Sequence, residues 1–88
     1  MALQILGSTG DEVIGQIRAC IEREIPGCAV EVRSAGAGHF ELRVVSASFG
    51  GQPRVRQQQR VLAAIAHLMK GDTAPVHAID KLATELPA

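Results

Sequence analysis

Aromatic residues are almost absent from this chain of 88 residues: Phe40 and Phe49 are the only two, and there is no Trp or Tyr. A surface that stacks successive bases of a single strand needs several exposed rings, so the composition argues against that mode of binding. Cysteine is scarce as well. Cys20 and Cys28 are too few for a disulfide framework, and their separation fits no zinc or redox motif, so two reduced, mostly buried thiols are expected. The longest apolar stretch, Val61 to Ala66, reaches Met69 only across His67. A membrane span needs roughly 18–20 such residues, so none is expected. No basic residue precedes Arg18. The expectation is therefore a chain without a secretory or transit signal, and a cytoplasmic protein.

What the chain does have is enough apolar content, 47%, for one folded core, and a length that leaves no room for a second. Nine basic residues balance nine acidic ones, but the two kinds are segregated. Residues 1–42 carry six acids and three bases, whereas residues 42–71 carry five bases (Arg43, Arg54, Arg56, Arg60, Lys70) and no acid. A neutral protein of this kind can still offer a local anion-binding face, without the overall basic character of a dedicated DNA binder.

Periodicity predicts the elements. Residues 1–8 read as a flexible leader and 9–88 as a single domain. Thr9-Gly10-Asp11-Glu12 has the form of a capping box, and Val13/Ile14, Ile17, Cys20/Ile21 and Ile25 then form one helical stripe, which Pro26-Gly27 ends. From Cys28 the period falls to two. Val30 and Val32 alternate with Glu31 and Arg33, a turn follows over Ser34 to Gly38, and Phe40, Leu42 and Val44 alternate with Glu41 and Arg43. The two strands should pair with their charged residues as neighbours on a wet face. After the breaker Phe49-Gly50-Gly51-Gln52-Pro53, residues to Lys70 read as helical, a short exposed segment feeding a buried one. Val76 to Leu82 reads as a third strand, with a last frayed turn in the tail. The predicted architecture is α+β: helix–strand–strand–helix–strand, a three-stranded mixed sheet with both helices on one face and the other face open.

Few residues carry chemistry. There is no nucleophile elbow, no phosphate-binding glycine loop followed by Lys, and no His-Glu-x-x-His, so catalysis is not expected. Gly7-Ser8-Thr9-Gly10 has the GxxG pattern of RNA-clamping loops but precedes the first helix instead of joining two. Cys20, Cys28, His39, His67 and His77 are the borderline metal ligands, scattered over different elements, and a self-contained zinc site is not expected. Half a site is easier to build. His39 opens strand two and His77 lies in strand three, so two imidazoles can converge at one sheet end, with a partner's thiolates completing the set. The alternative is two hydrogen-bonded surface histidines, and His67 reads as structural or exposed. Arg54, Arg56 and Arg60, interleaved with Gln57, Gln58 and Gln59, offer charge for phosphates and amides for base edges, or else simply a solvated helix start.

His39-Phe40, the strand ending Val44-Val45-Ser46, Phe49-x-Gly51-x-Pro53, the glutamine-rich run to Val61, and Val76-His77-Ala78-Ile79 together resemble the BolA family over roughly residues 11 to 82. Arg54-Val55-Arg56-Gln57-Gln58-Gln59-x-Val61 is similar to its IbaG-like branch. The resemblance implies a fold related to class II KH domains. It also implies a partner, a monothiol glutaredoxin with glutathione, that shares a [2Fe–2S] cluster, in iron–sulfur trafficking or iron and stress regulation. His77 corresponds to the family's His-Ala-hydrophobic ligand. The family's second ligand lies in the hairpin loop, here Ala35-Gly36-Ala37-Gly38, which leaves His39 as the nearest candidate. The alternative implied function is a DNA-binding transcriptional regulator acting through Arg54 to Arg60. Gln57-Gln58 stands where the family often has Arg-His. Alone, the protein is expected to be a monomer or weak dimer with no membrane association.

Overall fold

The computed structural model describes the backbone of residues 3–88 and the side chains from Gly10 onward. Its elements are α1 (Leu3–Glu24), β1 (Ala29–Gly36), β2 (His39–Val45), α2 (Arg54–Ile65) and β3 (Ala78–Glu85), with 3₁₀ turns at Ala47–Phe49 and Ala66–Met69. The sheet order is β1-β2-β3; β1 and β2 are antiparallel, β2 and β3 parallel. The predicted α+β order and mixed sheet are therefore those observed.

Five boundaries differ from the sequence reading, the first being that β1 runs on to Gly36, through residues expected to turn from Ser34 onward. The helix α1 runs through Ser8 and Thr9, so Thr9 is an interior residue and no capping box starts there. In the sequence, Leu3, Leu6 and Gly10 continue the three- and four-residue steps of Val13 and Ile17, and that periodicity outweighs a local start signal. Residues 1–2 of the expected leader lie outside the described residues. The second helix is not split by its change of character: α2 is continuous over Arg54–Ile65 and only then tightens into the 3₁₀ turn. The third strand begins at Ala78, two residues later than expected. Pro75 lacks an N–H, while Val76 N–H bonds the Leu68 carbonyl at 3.1 Å, which holds this stretch to the preceding turn. At its other end β3 continues to Glu85, with Thr84 buried and Ala83 and Glu85 exposed, in place of a frayed turn.

One core lies between the helices and the inner sheet face. Val13, Ile17, Cys20, Ile21 and Ile25 of α1 meet Phe40, Leu42 and Val44 of β2 and Val61, Ala64 and Ile65 of α2. Ile17, Ile21 and Ile65 are fully buried, and removing such a side chain from water stabilises by about 1.5–3 kcal/mol each. The helices also hold the outer strands by long side chains: Arg18 bonds the Val30 carbonyl at 2.6 Å, and Gln58 bonds that of Leu82 at 3.2 Å.

Gln57 fastens three segments at once. Its amide nitrogen donates to the carbonyls of Gln52 (2.8 Å) and Phe49 (3.3 Å), and its oxygen accepts from the hydroxyl of buried Thr84 at 2.8 Å. On the open face the predicted cross-strand neighbours are in register, Glu31 with Arg43 and Arg33 with Glu41. Arg43 also forks onto Glu85, with Nη2 2.9 Å from Oε1 and Nε 3.2 Å from Oε2. Hydrogen bonding from Arg43, then its charge, holds the Glu85 carboxyl below its ordinary value.

Gln57→Leu leaves a hydroxyl and two carbonyls without their partner and should lower stability by about 1–3 kcal/mol in urea unfolding, with Thr84→Val added in the same chain recovering part of the loss. For Glu85, the folded carboxyl titrates below the unfolded one. Its contribution to stability is thus present above the ordinary carboxylate range and disappears as pH falls through the depressed folded value. In Arg43→Gln the Glu85 titration followed by NMR should move upward; an unchanged midpoint would show that the fork does not act in solution.

Candidate functional site

The hairpin turn and the entrance to β3 meet at a single backbone carbonyl. Gly38 oxygen accepts the N–H of His77 at 2.8 Å and that of Ala78 at 3.1 Å. Gly38 itself sits at φ +75°, in the left-handed region that glycine tolerates best. A Cβ built on it would stand 2.7 Å from both Cγ and Nδ1 of His77, so the imidazole lies against the bare α-carbon. His77 is nevertheless exposed to solvent. It precedes β3 by one residue instead of lying within it, which frees its ring from the alternation of the strand.

His39 follows Gly38 directly and pairs with Ala78, so both histidines occupy the same end of the sheet on neighbouring strands. The His39 ring is half-exposed, and its Nδ1 is 3.0 Å from Oδ1 of Asp80. An ionised carboxylate only accepts, so Nδ1 is the donor of this pair, and in the neutral ring Nε2 is the nitrogen left with a lone pair. Asp80 reaches this position because β3 bulges there. Phe40 pairs with Ile79 and Glu41 with Lys81, which leaves Asp80 as the extra residue. The other borderline ligands are elsewhere engaged. Cys20 is buried with Sγ 3.5 Å from Nε2 of exposed His67, and burial, with Glu22 adding to it, pushes the Cys28 thiol up. Among the described residues no three His, Cys, Asp or Glu side chains gather as a metal site.

The basic segment divides. Arg54 and Arg56 are exposed in the first turn of α2, where the helix dipole adds to their positive potential. Arg60 instead packs 5.5 Å above the ring of buried Phe49 and bonds Gln52 Oε1 at 3.2 Å. Gln57 and Gln58, read from sequence as amides for base edges, are turned inward onto backbone carbonyls. The reason is the crossover: a helix joining two parallel strands must tie its own connections, and its polar side chains do so. Sequence reasoning missed two residues of the histidine end, Gly38 and Asp80. Asp80 left a trace, since Ile79 and Leu82 stand three apart where unbroken strand alternation would require two.

Comparison with known proteins follows the same outline. A family model described as BolA-like protein matches residues 20–85. No curated protein matches the chain. Among solved structures, a bolA protein homologue from Coxiella burnetii superposes with a TM-score of 0.66 at 28% identity, covering 81% of this chain and 86% of that one. BolA1 from Mus musculus gives 0.61 at 29% identity, over 81% of this chain and 63% of that one. BolA1 from Arabidopsis thaliana is alike in fold, with a TM-score of 0.68 at 20% identity over 83% and 89% of the two chains. With that match running from the second half of α1 to the last residue of β3, the chain belongs to the BolA-like family.

Proposed function

We propose that this protein is a non-enzymatic adaptor that shares a [2Fe–2S] cluster with a monothiol glutaredoxin and its glutathione, His77 providing the chief ligand from this side and His39 the second. The observation that carries the reading is the exposed His77 imidazole seated on Gly38 at the same sheet end as His39. A [2Fe–2S] cluster takes four ligands, two on each iron. Two imidazoles suit a centre completed by another molecule's thiolates and are too few for one held alone. Histidine in place of cysteine raises the cluster's potential relative to all-thiolate ligation, and an imidazole lets go of iron when protonated, which suits transfer. On this side the chain's own work is positional. Gly38 seats His77, and Asp80 occupies Nδ1 of His39, which leaves Nε2 as the nitrogen to ligate.

A second reading, a DNA-binding regulator, is favoured by the exposure of Arg54 and Arg56 together at the start of α2. With Arg60 engaged by Gln52 and Phe49, about two phosphate contacts remain, enough only for weak, salt-sensitive binding.

Adding the protein to a cluster-loaded monothiol glutaredoxin should give a heterocomplex with its own visible absorption and circular dichroism, lost in His77→Ala; a spectrum unaffected by that change would refute His77 as a ligand. Gly38→Ala should lose it too, because the methyl group displaces the ring. Gly27→Ala is the control, since Gly27 has the same backbone strain at φ +83° but nothing within 4 Å of its would-be Cβ, and it should keep the spectrum.

A further inference from the structure

The open face of the sheet carries charges in a checked pattern that complements itself. Across the strands, Arg33, Glu41 and Lys81 are register partners and form a row of positive, negative, positive. Two residues along, Glu31 and Arg43 are partners, and Glu85 leans back to Arg43 at 2.9 Å, giving negative, positive, negative. A shallow depression of about 350 Å³ lies between the rows. All six side chains reach solvent, and the core lies on the opposite face.

We propose that this face is a docking surface for a second copy of the same chain, related by a two-fold axis that lies in the contact plane, crosses the strands and passes midway between the two rows. That operation keeps β1 over β1, β2 over β2 and β3 over β3 while exchanging the rows. Arg33 then faces Glu31 of the second copy, Glu41 faces Arg43, and Lys81 faces the Ala83–Glu85 segment, where the Glu85 carboxylate leans inward. Symmetry doubles each pair. The choice of axis is not free. A two-fold axis running along the strands would set Glu41 over Glu41 and Arg43 over Arg43, like charge on like charge. Of the two, the crosswise axis is the one that opposes unlike charges, and such complementarity sets register and orientation more than strength.

The contact is small. Strand spacing and rise give a face of about 14 Å by about 20 Å, or roughly 300 Å² per copy. A stable interface uses about 800 Å² per partner. The association is accordingly transient, wet and sensitive to ionic strength. It is independent of how His77 and His39 are read.

Sedimentation velocity at high protein concentration should show wild-type dimer at an ionic strength of about 0.01 M and monomer at about 1 M, where charges are screened within about 3 Å. Glu41→Arg alone sets Arg over Arg43, and Arg43→Glu alone sets Glu over Glu41, so each variant should weaken self-association by at least about tenfold. Mixed in equal amounts, the two restore opposite charge at both symmetry-related contacts and should dimerise again. Lys81→Glu with Glu85→Lys repeats the test at the third strand, and circular dichroism checks that every variant is folded. A wild-type protein that is monomeric at low salt, variants that associate as well as wild type, or a mixture that stays monomeric would each overturn the proposal.

Discussion

The carbonyl of Gly38 takes hydrogen bonds from two successive residues of a segment almost forty positions away, and much of the molecule follows from that junction. It stitches the hairpin turn to the entrance of β3 and so sets the parallel register from His39–Ala78 onward. Because Gly38 has a left-handed backbone and no side chain, the ring of His77 can come to rest on it while staying open to solvent. A bulkier residue would have to push the ring away or move the turn. The position of the histidine is thus decided by a hydrogen atom in the hairpin turn.

The crossover between β2 and β3 shows how little of a polar helix is available for binding when it must also hold its own connections. Val61, Ala64 and Ile65 bury one side of α2, while Gln57, Gln58 and Arg60 reach back to Phe49, Gln52, Ser48 and Leu82. Buried carbonyls need donors, and an amide on a helix supplies them without introducing charge. Arg54 and Arg56, one turn earlier, have nothing comparable to tie and stay in solvent.

Both faces of the sheet use the same period of two for different ends. Inward residues are mostly apolar and fill the core; outward residues alternate in sign along β1 and β2, and across the strands Arg33, Glu41 and Lys81 do the same. The bulge at Asp80 interrupts this order at one end, placing a carboxylate beside His39 where a regular strand would have paired Asp80 with Glu41. The sheet in this way presents imidazoles at one end and a charged plane beside them.

The order of elements, the hairpin with its Glu31–Arg43 and Arg33–Glu41 neighbours, and most of the core were legible in the chain itself, because apolar period reports directly which side of a helix or strand faces inward. The start of α1 and the length of β3 were not, since local turn and start signals compete there with pairing that forms only in the folded state. The sequence also singled out His39 and His77. It could not show that His77 rests on Gly38, that Asp80 binds His39, or that Gln57 and Arg60 are spent on the fold. Each of these depends on contacts between segments far apart in the chain, and such distances are set only when the sheet closes over its helices.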